Sequence, residues 1–526
     1  MQREQLTGGQ ALARQLVAEG VEVVFGLPGD QLMTALDAFS RTPELRYVVT
    51  RHEQATTYLA DGYARTSGRP GVAMVVPGVG VYNAATGLAT AYACSSPVLL
   101  LAGQVNRAGI GKDLGLLHDV HDQLEIVRPI TKWARRVLEP QDVTGAVREA
   151  FARMTTGRPR PVEIEIPPET LAEKALTHVI PPVGAEKTPP PVAEAAALLR
   201  AAANPLVVAG GGAVLGDASA ALTRVAELLQ APVVTTREGK GAIDDRHALS
   251  VGTAWVNPRM RPVLAAADVV LAVGTRGAGL GLRDDQRLLH LDIDAEQIGR
   301  HHPATVALAG DAARTLEALA EHLPQRPGRT AEARAMRAAA EKALAAVGPQ
   351  WEMVRALRAG VPENGILVCD TTSVAYMCHM GYPVYAPRTY LSTSYMGTLG
   401  FGYPAGLGAK VAAPDTPVVT VTGDGGFLFA SNELATAVQH GIHTVTVVFD
   451  DSAYGNSNRD QRDRFGGREY GTVLRNPDWV ALARAFGADG MVVDDVAKLP
   501  GALTEALATP NSTVIAVPMD RLPSPF

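Results

Sequence analysis

Residues 423–456 read GDGGFLFASNELATAVQHGIHTVTVVFDDSAYGN, and this stretch decides the fold. Just ahead of it, 417–422 is a short apolar, β-branched run, the pattern of a buried strand. The run ends at Gly423-Asp424-Gly425-Gly426, a turn where the backbone can come close to a ligand. Asn432 is a good N-cap residue, so a helix is expected from about there, with Gly441 ending it. Residues 444–449 form the next strand, which runs into Asp450-Asp451. Two acidic clusters thus stand at the carboxyl ends of two successive strands of a βαβ unit, where open α/β sheets take their ligands. Asp424 and Asp451 suit a hard divalent cation between them. Mg²⁺ takes oxygen ligands, few of them from protein, and completes its octahedron with waters and phosphate oxygens. The Gly425 and Gly426 amides can face the same phosphates. A lone Gly-Asp-Gly is usually only a turn; the strand–turn–helix–strand context and the second acidic pair lift it above that.

The bulk properties narrow the rest. At 526 residues the chain has room for about three domains of roughly 150 residues. A net charge of −6 gives no pointer to nucleic acid. Cys94, Cys369 and Cys378 have no metal-binding spacing and are too few for a disulfide scaffold, which fits a reducing cytoplasm. The N-terminal MQREQLTGGQALARQ lacks the apolar core of a signal peptide, and no apolar run has the length of a membrane span.

The opening stretch resembles the diphosphate-binding signature of thiamine diphosphate (ThDP) enzymes: Gly-Asp-Gly, a fixed gap, then Asn-Asn or similar. Asp450-Asp451 stand in place of the Asn-Asn. The resemblance implies Mg²⁺ held by Asp424, Asp451 and the carbonyl of Ala453. It also implies cofactor contacts from Gly423, Gly425, Gly426, Tyr454, Gly455 and Asn456.

Toward the N-terminus, Leu12, Leu16 and Val17 lie at helical spacing within 9–19, Gly20 ends that helix, and 21–25 reads as a strand leading to Gly26-Leu27-Pro28-Gly29. A second strand, 45–49, runs into Arg51-His52-Glu53-Gln54 and a helix. Glu53 sits at a helix N-terminus, a place that suits a carboxylate whether or not it does chemistry. However, FGLPG followed by RHEQATTYLADGYARTSGRPGV resembles the pyrimidine-binding domain of ThDP enzymes of the acetolactate synthase type. The resemblance puts Glu53 on the family's essential acid, which hydrogen-bonds N1′ of the cofactor, and Gly26 and Pro28 in the turn beside it. Residues 77–83 resemble the family's Gly-Pro-Gly-x-x-Asn turn, with Val79 for its Pro and Asn83 as its Asn. The loop 106–123 departs from acetolactate synthase: His118-Asp119 stand where that enzyme usually has Phe-Gln, with His121 close by. Histidine is the side chain best placed to move protons near neutral pH, so His118 and His121 are candidate catalytic residues. The bland alternative is a surface loop or helix with solvated histidines.

Residues 174–192, with VIPPVGAEKTPPP, read as a Pro-rich linker. Beyond it, 205–209 is a strand ending at Gly210-Gly211-Gly212, a tight strand-to-helix turn rather than a clean GxGxxG. This part resembles the family's middle domain, which in some members binds FAD or a CoA/ADP moiety. The stretch 250–262 does not resemble the flavin-contacting loop, so FAD is possible but not favoured. Residues 322–349 read as a second linker with Ala-rich helical character, and the third domain opens with a strand at 365–369. Residues 395–402 resemble the turn that supports the bent cofactor, with Met396 beside it and Leu399 as the apolar wedge between its rings. Val374-Ala375-Tyr376 stand where acetolactate synthases often have Val-Gly-Gln, and Asp460 stands where they have a Trp near the substrate.

The predicted architecture is α/β, with three doubly wound parallel-sheet domains: pyrimidine-binding over 1–175, middle over 190–325 and diphosphate-binding over 345–526. The resemblance implies a ThDP- and Mg²⁺-dependent carboligase or decarboxylase acting on small-molecule 2-oxo acids or aldehydes. It would be a homodimer or homotetramer with active sites between subunits, and cytoplasmic. A 2-hydroxyacyl-CoA lyase is the alternative among enzymes. A non-catalytic ThDP-fold binding protein is the alternative outside them.

Overall fold

The structure, a computed structural model, describes residues 3–182, 184, 188–253 and 260–525. It contains three six-stranded sheets in which every pairing is parallel. The first comprises β1 (Val23–Gly26), β2 (Arg46–Val49), β3 (Gly71–Val75), β4 (Val98–Gly103), β5 (Trp133–Arg136) and β6 (Val162–Ile166), in spatial order β2-β1-β3-β4-β6-β5. The middle sheet holds β7 (Pro205–Ala209), β8 (Val233–Thr235), β9 (Ser250–Thr253), β10 (Val269–Val273), β11 (Arg287–Asp292) and β12 (Val306–Ala309), ordered β9-β8-β7-β10-β11-β12. The third has β13 (Ile366–Cys369), β14 (Tyr390–Ser392), β15 (Val418–Gly423), β16 (Val445–Asp450), β17 (Asp489–Val492) and β18 (Thr513–Pro518), ordered β14-β13-β15-β16-β18-β17. Central strands such as β4 and β10 are buried along their whole length, which is why they read as unbroken apolar runs.

The first and third sheets have the same strand order, whereas the middle one follows the doubly wound dinucleotide-binding order. In both outer domains a helix joins the second strand to the third: α1 (Glu53–Ser67) in the first and α2 (Val79–Cys94) after its third strand, α3 (Gly402–Ala412) in the last. α1 and α3 pack directly on one another. A Cβ on Gly62 would stand 2.1 Å from the carbonyl oxygen of Ala405, and one on Gly408 would stand 2.0 Å from that of Leu59. Leu59 and Gly62 have the same spacing as Ala405 and Gly408, so the contact is reciprocal about a local twofold. Tyr58 and Phe401 meet edge-on beside it, with ring centroids 5.5 Å apart. One buried apolar cluster runs through both domains, from Leu59, Tyr63 and Leu88 to Tyr403, Phe427 and Leu434.

Neither expected linker is plain coil. Lys174–Thr177 pairs antiparallel with Glu4–Thr7, placing Leu6 and Thr177 in the interior. Thr330–Ala345 is a helix whose Ala333 and Ala340 pack in the middle-domain core and whose Leu344 packs in the third. Residues 183 and 185–187 of the first linker, and 254–259 of the stretch set against the flavin loop, lie outside the described residues. Among the described residues no helix is long and apolar enough to cross a membrane.

Candidate functional site

The acidic stretch folds more tightly than its sequence suggests. Gly423 is extended, and a helical turn, α4 (Asp424–Leu428), begins at Asp424 itself. The helix expected from about Asn432 is present but starts two residues later, and Asn432 does not cap it. Ser431–Glu433 is a 3-10 turn, and α5 (Leu434–His440) follows, closed as expected by a left-handed Gly441. The reason is local: a glycine-rich run can take one helical turn in place of a β-turn.

Asp424 Oδ1 accepts the Gly425 amide at 2.8 Å, and Oδ2 accepts Asn476 Nδ2 at 2.7 Å. The same Asn476 nitrogen donates to Asp450 Oδ1 at 2.8 Å, and Trp479 Nε1 donates to Asp450 Oδ2 at 2.7 Å. Asp450 is therefore occupied by protein donors, and Asp451 is the acid left to pair with Asp424 across the turn. Burial, reinforced by Asp451 and Asp450, pushes Asp424 up to about 6. Burial likewise raises Asp451, with Asp450 adding repulsion. Against its burial, hydrogen bonds from Trp479, Ser452 and Asn476 hold Asp450 below the usual range. Carboxylates that raise one another in this way suit a cation. Among the described residues no three His, Cys, Asp or Glu side chains form a metal site unaided. This donor set fits Mg²⁺, which takes only one or two carboxylates and finds its other oxygens elsewhere.

The neighbouring backbone is shaped to this cluster. Ser452 is left-handed, with φ 51°, and turns the chain so that buried Ala453 follows Asp451 closely. A Cβ on Gly455 would stand 2.5 Å from Asp451 Oδ2, and one on Gly425 would stand 2.7 Å from the Tyr454 ring. α6 (Gly455–Arg464) follows, anchored by buried Asn458, whose amide donates to Thr472 at 3.0 Å. Asn456, Asp460 and Asp463 are exposed on α6 and line a cavity of about 730 Å³.

Glu53 is the first residue of α1, and His52 caps the helix by accepting the Gln54 amide at 3.1 Å. The Glu53 side chain is buried, and its Oε2 accepts Asn83 Nδ2 at 2.9 Å. Two candidates picked from separate motifs are thus brought together. Gly78, at the head of α2, has φ 53° and donates its amide to Gln123 at 2.8 Å. A Cβ there would stand 2.3 Å from the carbonyl of His118, so the 106–123 loop is seated on this turn. His118 is half-buried and His121 exposed. Gly26 ends β1, where a Cβ would strike the Tyr47 hydroxyl, and Pro28 is exposed in the turn beyond.

In the third domain Met396 is exposed, and Leu399 is half-buried between two left-handed glycines, Gly397 and Gly400. Leu399 lies as far ahead of Ala405 in α3 as Glu53 lies ahead of Leu59 in α1. The local twofold therefore pairs Glu53 with Leu399. Sequence reasoning missed Asp370 and Asn476. Asp370, buried at the carboxyl end of β13, accepts amides from Thr371 at 2.7 Å and Gly402 at 3.0 Å, and burial pushes it up to about 6. The strand-end rule that exposed Asp424 applies equally to Asp370. Asn476 carried no such signal.

A second cleft of about 530 Å³ opens where the three domains meet, beside Gly211, Arg158, Arg276, Asp292 and Asp311. The glycine run there is a tight turn as expected, with Gly210 capping the Gly211–Leu215 helix.

Residues 6–126 match the family described as thiamine pyrophosphate enzyme, N-terminal TPP binding domain. Residues 192–319 match its central domain and 370–517 its C-terminal TPP binding domain. A probable 2-ketoarginine decarboxylase, AruI, of Pseudomonas aeruginosa is 37% identical over 97% of this chain and 93% of its own. A probable acetolactate synthase large subunit of Methanocaldococcus jannaschii is 33% identical, covering 98% and 92%. The acetolactate synthase isozyme 3 large subunit of Escherichia coli is 30% identical, covering 96% and 92%.

Proposed function

From the premise that the chain belongs to the thiamine pyrophosphate enzyme family, we propose that it decarboxylates a 2-oxo acid with a cationic side chain, with Mg²⁺ holding the cofactor. Its relatives are named as decarboxylase and acetolactate synthases, so it is an enzyme of the carboligase or decarboxylase type rather than a non-catalytic binding protein. ThDP, when bound, supplies the electron sink for cleaving the bond beside the carbonyl. The chain's own residues position and protonate. Asp424, Asp451 and the Ala453 carbonyl would hold Mg²⁺, and the Gly425 and Gly426 amides the diphosphate. Leu399 would prop the rings, and Glu53, aimed by Asn83, would hold the proton at N1′. His118 and His121 would carry protons to the product.

The observation that carries the cationic substrate is Asp460 with Asp463, exposed one turn apart on α6, where acetolactate synthases present a tryptophan. A 2-oxo acid of the kind in the Pseudomonas relative's name ends in a guanidinium, which carboxylates receive as a fork. Arg464 already lays its guanidinium against Asp460, 3.2 Å from each oxygen, as a substrate would. The test is CO₂ release from a panel of 2-oxo acids with ThDP and Mg²⁺, with products read by mass spectrometry. The guanidino acid is expected to exceed pyruvate at least tenfold in kcat/KM. Replacing Asp460 and Asp463 by Asn should cost that substrate about 1–2 kcal/mol, roughly tenfold, and leave pyruvate unchanged. Acetolactate as the main product from pyruvate would instead establish the second reading, a carboligase, which the acetolactate synthase relatives favour.

The working unit in this proposal is a homodimer or homotetramer, with Glu53 and Asp424 of one site drawn from different subunits. Supporting it, Val79 and Tyr82 beside Asn83 are 45% and 56% exposed, and Leu428 and Phe429 at the end of α4 are 41% and 53% exposed. Apolar side chains on the rims of both half-sites are what a second copy would cover.

A further inference from the structure

Glu433 is wholly buried, at 0% exposure, yet it has no cationic side chain bonded to it among the described residues. Its partners are a backbone amide and neutral side chains. Both of its oxygens accept the Arg51 amide, at 3.1 and 3.2 Å, and the His52 amide faces it closely enough to favour its charged form. Thr436 Oγ1 donates at 2.6 Å and Asn432 Nδ2 at 3.4 Å, fixing the carboxylate from its own domain. Arg51 and His52 are the two residues that lead into Glu53. A carboxylate from the third domain therefore grips the chain where α1 begins, and the first residue of α1 is the acid.

The grip continues along β2, the edge strand of the first sheet. His440, at the end of α5, accepts the Val49 amide on Nε2 at 2.9 Å. The carbonyl of His440 accepts Arg46 at 3.1 Å, and Gln439 accepts the Arg51 guanidinium at 2.6 Å. One short segment, 433–440, thus satisfies amides that a bare edge would leave open. On the other side of the local twofold, the counterpart contact is a pair of hydroxyls: Thr90 of α2 meets Thr398, next to Leu399, at 3.3 Å. The wedge is steadied by a neutral pair, the acid by a buried carboxylate. Desolvating a carboxylate is costly, and an apolar residue would fill the space at less cost. What the carboxylate adds is two fixed acceptors for the backbone at the head of α1.

We propose that Glu433 is a positioning residue for Glu53. It ties the segment after α4, which carries Asp424, to the residues that aim Glu53, so that the diphosphate side and the acid side of the chain move as one body. The role of Glu53 in this proposal rests on the function proposed above; the clamp rests on the hydrogen bonds alone.

The test has one readout without cofactor and one with it. In the apoprotein, amide hydrogen exchange read by mass spectrometry over 46–56 should show slow exchange at Arg51 and His52. Glu433→Ala should speed those two amides at least tenfold while the rest of α1 holds. Glu433→Gln, nearly isosteric and left with one good acceptor, should fall between. In the holoenzyme, exchange of the C2 proton of bound ThDP, followed by NMR on quenched samples, should slow tenfold or more in Glu433→Ala, with ThDP affinity within about threefold. Should Glu433→Ala fold poorly, Glu433→Gln and Glu433→Asp carry the same comparison, since Asp withdraws the acceptors by one methylene. Unchanged protection of Arg51 and His52 in the variants overturns the proposal. So does faster amide exchange with C2 exchange unaltered. If the parent protein itself fails to accelerate C2 exchange, the proposed function falls, and the apoprotein measurement still decides the clamp.

Discussion

Glu53 is the residue on which binding and activation should come apart. It lies in the first domain and the residues proposed to hold the diphosphate in the third, and its side chain accepts a hydrogen bond from Asn83, also of the first domain. Glu53→Gln keeps the shape but cannot share a proton with N1′. It should lose about 10²–10⁴-fold in rate. ThDP should still bind within about tenfold, roughly 1.4 kcal/mol, by fluorescence titration. Equal losses in rate and affinity would show that Glu53 does no more than bind. A second residue-scale expectation concerns pH. Burial pushes Asp370 up to about 6 and Glu433 up to about 7. Each binds its proton more tightly folded than unfolded. Their contribution to stability is therefore complete below about pH 4 and lost as pH rises through 6 to 7. For Asp370 the loss is about 3 kcal/mol. Asp370→Asn cannot ionise, so the apoprotein variant should lose a few degrees less of its melting temperature than the parent between pH 5 and 8. Parallel melting curves for the two proteins would refute that assignment.

At the scale of elements, the contact between α1 and α3 carries the sharpest expectation. An alanine in place of glycine inside a helix ordinarily stabilises by about 1 kcal/mol. At Gly62 the added methyl would meet the Ala405 carbonyl, which belongs to backbone and cannot swing aside. Gly62→Ala should instead destabilise by about 1–3 kcal/mol in urea unfolding, and Gly145→Ala, with open space around it, should not. The same elements show what the sequence can and cannot carry. β15 and β16 were legible because a buried parallel strand must be apolar and β-branched, and Asp424, Asp451 and Glu53 because they stand where strands end. α4 was not, because glycines favour no single conformation and the run read as a turn. Glu433 and Asn476 were missed for another reason. A polar side chain takes its role from its partner, and the amide that Glu433 receives lies 382 residues away. The local twofold left no trace in periodicity, since each half uses different residues for the same place.

At the scale of the whole molecule, the exposed apolar side chains beside Asn83 and at the end of α4 are surfaces that the proposed assembly should depend on covering. Phe429→Asp and Tyr82→Glu, each placing a charge on a rim, should shift the protein toward monomer in light scattering and abolish turnover together. A monomer with full activity would place the complete site within one chain. The reciprocal packing of α1 on α3 also bears on how the chain is made. α1 leaves the ribosome about 340 residues before α3. At ordinary rates of synthesis that interval lasts roughly twenty seconds to a minute. Throughout it, Tyr58 lacks Phe401, Gly62 lacks the Ala405 backbone, and β2 has no Glu433 or His440 along its edge. The nascent first domain is then an adhesive surface awaiting a cover still to be translated. Messages cut short before Gly402 should yield insoluble product, and chaperone supply should govern the yield of the intact protein.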